Sequence, residues 1–175
     1  MAFSLCCIVG SVFVFSACGQ NEVKEPEEYT GPLREFENVE TFYSENEQVK
    51  VKLIAAHVFE FQNGDREFPK GIFVEFYNQA GQLESTLRAD HAYYFEKEKQ
   101  WRGRGKVQVK NVITNEQLNT EELFWKPSEE RIFTDKFVTI RQQDDVIYGQ
   151  GLEAKQDMSV YQILKPEGEF DVQEE

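Results

Sequence analysis

Apolar and polar residues alternate with a period of two along most of this chain, in short runs broken by turn-forming residues. Alternation of that kind, rich in Val, Ile, Thr and aromatic residues, predicts half-buried β-strands. The runs cover residues 49–61, 71–78, 82–94, 106–112, 117–125, 131–134, 137–141, 145–154 and 159–164. Gln62-Asn63-Gly64-Asp65, Asn78-Gln79-Ala80-Gly81, Thr114-Asn115-Glu116, Lys126-Pro127-Ser128 and Gln142-Gln143-Asp144-Asp145 separate them with turn chemistry. All five prolines fall outside the runs, as a hydrogen-bonded ladder requires. Strands recurring at this spacing predict an all-β domain, a meandering antiparallel sandwich or roll.

Residues 82–99 also fit an amphipathic helix, with Leu83, Leu87, His91 and Tyr94 on one side. An internal repeat decides between the two. Leu87-x-Ala89-Asp90-x-Ala92-x-Tyr94 matches Leu118-x-Thr120-Glu121-x-Leu123-x-Trp125 and Ile147-x-Gly149-Gln150-x-Leu152-x-Ala154, copies about thirty residues apart. The third copy carries Gly149 and Gly151, which disfavour a helix there and, by analogy, in the other two. A second recurring piece alternates Ile72, Val74 and Phe76, then Val107 and Val109, then Val138 and Ile140. The unit is a pair of antiparallel strands, and stacking such units gives an elongated roll with one face of each strand inside.

The N-terminal segment follows a different pattern. Residues 5–15 are apolar and uncharged, too few to span a bilayer, and Ser16-Ala17-Cys18 follows as a lipoprotein-type cleavage box. Residues 1–17 read as a cleaved signal peptide, Cys18 as an acylated lipid anchor, 18–32 as an acidic tether, 33–165 as the β-domain and 166–175 as an acidic tail. With Cys6 and Cys7 removed and Cys18 acylated, no thiol pair remains for a disulfide, so packing must supply stability.

The formal net charge is −13, dense in Glu22, Glu25, Glu27 and Glu28 and again in Glu167, Glu169, Asp171, Glu174 and Glu175. That balance repels polyanions and argues against nucleic acid as a partner. Enzymatic readings lack their parts. His57 and His91 are the only histidines and neither sits in metal-ligand spacing, so no metal, cofactor or catalytic residue is assigned. Adjacent acids such as Glu121-Glu122 and Glu129-Glu130 point apart on a strand or turn and do not oppose each other across a sugar. Gly103-Arg104-Gly105-Lys106 precedes a strand, with no helix N-terminus to cradle a phosphate.

Five motifs in order carry a resemblance: Leu53-Ile54-Ala55-Ala56-His57-Val58, Leu87-Arg88-Ala89-Asp90-His91-Ala92, Gly105-Lys106-Val107-Gln108-Val109, Leu118-Asn119-Thr120-Glu121 and Ile147-Tyr148-Gly149-Gln150-Gly151-Leu152. Together, over residues 49–164, they resemble the periplasmic lipopolysaccharide-export family of LptC type. The resemblance implies an open-ended, twisted antiparallel β-jellyroll. It implies a non-enzymatic component on the periplasmic side of the Gram-negative inner membrane. Such a component takes lipopolysaccharide from inner-membrane ABC transporter permease subunits and passes it to a periplasmic jellyroll bridge protein of LptA type. Well-known members hold the membrane with an uncleaved N-terminal helix, a task that the lipid on Cys18 takes over here.

A lipid with several acyl chains needs an apolar shield, because each exposed methylene costs about 0.8 kcal/mol. Alternation makes Val74, Phe76, Val107, Val109, Leu123, Trp125, Val138 and Ile140 the expected lipid-binding interior. An exposed sheet edge can take up a strand of another roll, and the resemblance implies that the C-terminal strand, with Val160, Tyr161, Ile163 and Leu164, meets the bridge protein and residues 36–43 the transporter. The competing reading is a membrane-tethered β-sandwich that binds carbohydrate or scaffolds the envelope, with Trp101, Trp125 and the tyrosines as exposed stacking platforms.

Overall fold

The computed structural model describes residues 29–143 and 145–167. The apolar segment, the cleavage box with Cys18, and the acidic tail beyond Glu167 lie outside the described residues.

The period-two pattern produces strands and no α-helix among the described residues, so 82–94 is strand and not helix. In chain order they are β1 (Arg34–Glu45), β2 (Gln48–Glu60), β3 (Arg66–Phe68), β4 (Ile72–Tyr77), β5 (Leu83–Ala89) and β6 (His91–Phe95). There follow β7 (Gln100–Asn111), β8 (Gln117–Lys126), β9 (Arg131–Gln142), β10 (Asp145–Lys155) and β11 (Tyr161–Glu167). All pair antiparallel in one sheet.

The sheet is creased and folded over, so that most long strands contribute to two layers. The first layer takes the end of β1, the start of β2, β4, β5, the end of β7, the start of β8, the end of β9 and the start of β10. The second takes the start of β1, the end of β2, β3, β6, the start of β7, the end of β8, the start of β9, the end of β10 and the start of β11. Around β2, β4, β5, β7, β6 and β3 the pairing closes into a circuit.

The repeat seen in the sequence is the signature of this crease. Leu87 and Ala89 face inward before it and Ala92 after it; Leu118 and Thr120 precede Leu123 and Trp125; Gly149 precedes Leu152 and Ala154. In each copy the inward set jumps three positions at Asp90, Glu121 or Gln150. An odd step reverses the pleat phase, and that reversal keeps the same face inside while the strand turns its corner. Ladder irregularities fall on this line, between Arg104 and Val107, Thr120 and Phe124, and Gln150 and Leu152. Backbones with positive φ gather there too, at Asn38, Gly71, Gly105, Lys106 and Gly151. At Gly71 (φ +79°) a Cβ would sit 2.2 Å from the Ala89 carbonyl oxygen, so only glycine turns the β3–β4 corner.

Two strand boundaries differ from the sequence pattern because of the crease. Residues 82–94 form two strands, broken at Asp90, whose N–H donates to the Gly105 carbonyl at 2.9 Å. Residues 131–134 and 137–141 belong to one strand that bends at Asp135-Lys136, where the Lys136 N–H donates to Thr134 Oγ1 at 3.1 Å. Strand β3 and the first half of β7 have no counterpart among the predicted runs.

Candidate functional site

Apolar side chains from both layers meet between them in one continuous core. All eight residues expected to line the interior lie there. Val74, Val109, Val138 and Ile140 are fully buried, and Val107, Phe76, Leu123 and Trp125 retain no more than 4% exposure. The first layer supplies Val74, Phe76, Val107, Val109, Val138 and Ile140, and the second supplies Leu123 and Trp125. Sequence reasoning missed equal contributors, Leu87, Leu118, Ile132 and Leu152. The repeat already held Leu87, Leu118 and Leu152 at inward positions, which was the signal that could have found them.

Aromatic rings tie the layers together. Phe76 meets Trp125 edge-on at 5.1 Å between centroids, and Trp125 lies 5.8 Å from Trp101, which also contacts Phe68 and Tyr94. The two tryptophans therefore serve the core, and neither is an exposed stacking platform. Exposed aromatics sit elsewhere, among them Tyr29, Tyr43, Phe137 and Tyr148, the last two stacked at 6.2 Å on the outer surface.

The two ends of the folded sheet differ. Strand β1 is exposed along almost its whole length, and Phe36, Phe42 and Tyr43 stand open to solvent beside half-buried Val39. Tyr43 lies opposite Val51, and Phe36 opposite buried Val58, so both extend the interior face beyond the last covered strand. At the other end the predicted edge residues divide by face. Tyr161 and Ile163 lie opposite Ala154 and Leu152 and pack on the core, whereas Val160 and Leu164 are more than half exposed. Both β1 and β11 pair on one side only.

The layers join along the crease and face each other along the opposite side, where the turns of both layers end. The β10–β11 turn reaches across this open side. Ser85 Oγ in the first layer donates to the Gln156 carbonyl at 3.0 Å, and Asn111 Nδ2 donates to the Asp157 carbonyl at 2.7 Å. Trp125 Nε1 donates to Gln156 Oε1 at 2.8 Å, and the Gln156 N–H donates to the Glu130 carbonyl at 2.8 Å. Met158, at the tip, is 1% exposed within the core.

Among the described residues the buried ionisable side chains are Glu116, in the β7–β8 turn, and Glu122. Glu122 is buried at the crease between Arg102, whose Nε lies 2.7 Å away, and Arg104 at 3.4 Å, while Glu121 is exposed. His91 pairs with Glu67 at 2.9 Å and stacks on Tyr93, and His57 pairs with Glu35. Both are strand neighbours of an acid on the outer face. A hollow of about 350 Å³ follows the crease, lined by Asp90, His91, Arg104, Glu121, Glu122 and Lys136. No cluster of metal-ligating side chains and no helix able to cross a membrane occurs among the described residues.

No curated protein matches the chain. The family model described as "Lipopolysaccharide-assembly, LptC-related" matches residues 2–166, the whole of the folded sheet but the last residue of β11 and nearly all of the segment before it. An all-β creased sheet with an apolar core and two edge strands, each paired on one side only, fits that match, and the chain belongs to the LptC family of lipopolysaccharide-assembly proteins.

Proposed function

We propose that this protein is a non-enzymatic lipopolysaccharide transfer component, taking the lipid from inner-membrane ABC permease subunits and passing it to a periplasmic jellyroll bridge. The observation that carries the reading is the interior itself. Side chains of two facing layers line it, from β2 to β11, and the two carboxylates that are buried, Glu116 and Glu122, lie at its margins, in the β7–β8 turn and at the crease. Apolar contact is non-directional, so acyl chains can replace layer-to-layer contacts by contacts of the same kind and slide without breaking fixed hydrogen bonds. The sugar and phosphate portion would stay in water, where the acidic surface gives it no reason to dwell.

Handover fits the edges. The exposed β1 edge, with Phe36 and Tyr43 continuing the interior face, would receive the transporter's roll, and the β11 edge, with Val160 and Leu164 free, would extend into the bridge. Acylation at Cys18 would hold the domain on the periplasmic face of the inner membrane, through the acidic tether. Replacing Cys18 by Ser tests the anchor. The parent should begin at Cys18 and carry acyl mass, the variant should lose both that mass and the cleavage, and a parent that keeps residues 5–15 without acyl mass would assign anchoring to that segment.

The cargo test places photo-crosslinkers at Val109 and Ile140, which face inward, and at Gln108, which lies outward against Asn119 at 3.3 Å. Lipopolysaccharide captured from Val109 and Ile140 and not from Gln108 is the expected result. Capture from neither inward position would remove the reading.

A further inference from the structure

We propose that the β10–β11 turn is a clasp across the open side of the folded sheet, one that must lift before an acyl chain can pass between the layers. The inference rests on the lipid-passage reading and concerns how that interior is opened.

The layers are continuous along the crease, where opening would require tearing strand ladders. Along the opposite side they are separate chains of turns, and hydrogen bonds between turn and layer replace the ladder. Two of these cross from one layer to the other, Ser85 to the Gln156 carbonyl and Asn111 to the Asp157 carbonyl. Ser85 is completely buried and Asn111 nearly so, which places a polar pair inside the seam. Polar side chains in such a position are satisfied only while the turn is down.

The turn is built as a separable unit. Its own bonds close it internally, Met158 N–H to the Lys155 carbonyl at 2.9 Å, Lys155 N–H to the Val160 carbonyl at 3.0 Å and Ser159 N–H to Asp157 Oδ1 at 2.9 Å. It can therefore move as a rigid hairpin end. Met158 holds φ +61°, a left-handed backbone unusual for a side chain of its size, and that conformation aims it into the core. A methionine is unbranched and adapts to what it touches, so an acyl chain can take its place in the same apolar surroundings.

The charge around the clasp opposes closure. Glu84 on β5, Glu130 in the β8–β9 turn and Asp157 in the clasp lie near enough that the last two raise the proton affinity of the first, after burial has done so. A seam closed by neutral hydrogen bonds against like charges is one that opens without unfolding the sheet.

The test uses the full chain with a photo-crosslinker at Val109 and purified lipopolysaccharide as probe. A lock, Ser85→Cys with Gln156→Cys, is compared oxidised and reduced, and the chain without that pair controls for Cys6, Cys7 and Cys18. An opener combines Ser85→Ala with Met158→Gly, which suits the positive φ. Capture by the oxidised lock should fall at least about tenfold and recover on reduction, as when a binding-competent state is withdrawn from an ensemble. The opener should capture several times faster than the unmodified chain. Equal capture by oxidised and reduced lock, or an unchanged rate in the opener where the lock does not form, overturns the clasp and leaves lipid passage standing. Failure of every form to capture, the unmodified chain included, overturns lipid passage and the clasp with it.

Discussion

Phe76 and Trp125 meet edge to face at 5.1 Å, one ring from each layer of the folded sheet. The contact joins the two layers by packing within the shared core. Truncating either residue leaves a hole that the stiff sheets cannot close. Phe76→Ala and Trp125→Ala should each cost about 3–5 kcal/mol in urea unfolding. The double variant should cost less than the sum by about 1 kcal/mol, the coupling of an aromatic pair. Strict additivity would mean that the rings stabilise their own layers and not the junction.

Gly149 lets β11 lie close against β10. A Cβ there would lie 2.6 Å from the Lys165 carbonyl and 2.3 Å from Ile163 Cγ2, so Gly149→Ala should push β11 off β10. Cutting the chain after Gln156 would also remove β11, but it would take buried Met158 with it. Amides of residues 161–167 should lose hydrogen-exchange protection while β4, β5 and β8 keep theirs. If β11 is the docking edge, capture of a jellyroll bridge protein should fall in parallel. Retained protection in β11 would show that the strand shifts to accommodate the methyl group.

Glu122 is the one carboxylate buried at the crease, and two guanidiniums converge on it. Glu122→Ala leaves Arg102 half-buried without its partner, and a loss of about 1–3 kcal/mol is expected. Arg104→Ala should cost much less, since its side chain is 56% exposed and Arg102 still satisfies the acid. Thermal melts of the two variants check the order, and a reversed order would place the weight of the crease on Arg104.

How much of this was legible in the sequence depended on what interrupts an alternating pattern. Where apolar residues alternate without a break, as from Val107 to Val109 or Val138 to Ile140, period two gave both strand and face. The first half of β7 was silent because Gly103 holds its inward position, leaving no side chain to mark the period. The crease was present in the sequence as a three-residue step in the repeat, yet a bend and a turn interrupt the pattern alike. Residues 82–94 thus read as one strand, and 131–141 as two. Met158 carried no periodic signal at all, since it stands alone between Asp157 and Ser159 in a polar turn. Only the fold places it in the core.

The pH dependence of stability should report on the same open side. Burial lifts the Glu84 carboxyl above the ordinary carboxylate range, and the Asp157 and Glu130 carboxylates lift it further. The folded state then keeps this proton at a pH where the unfolded chain has lost it. Stability contributed at Glu84 therefore falls as pH rises, through a window that begins at the ordinary carboxylate value and extends upward. Glu84→Gln removes that titration and keeps the backbone carbonyl that accepts the Val112 N–H at 2.9 Å. At neutral pH the variant should melt higher than the parent by a small margin, on the order of 1 °C for a partly solvated group. The two curves should converge as pH falls to the point where Glu84 is protonated in both states. Comparing parent and variant cancels the other carboxylates, so melting curves that stay parallel across the whole range would mean that Glu84 is fully solvated in the folded protein.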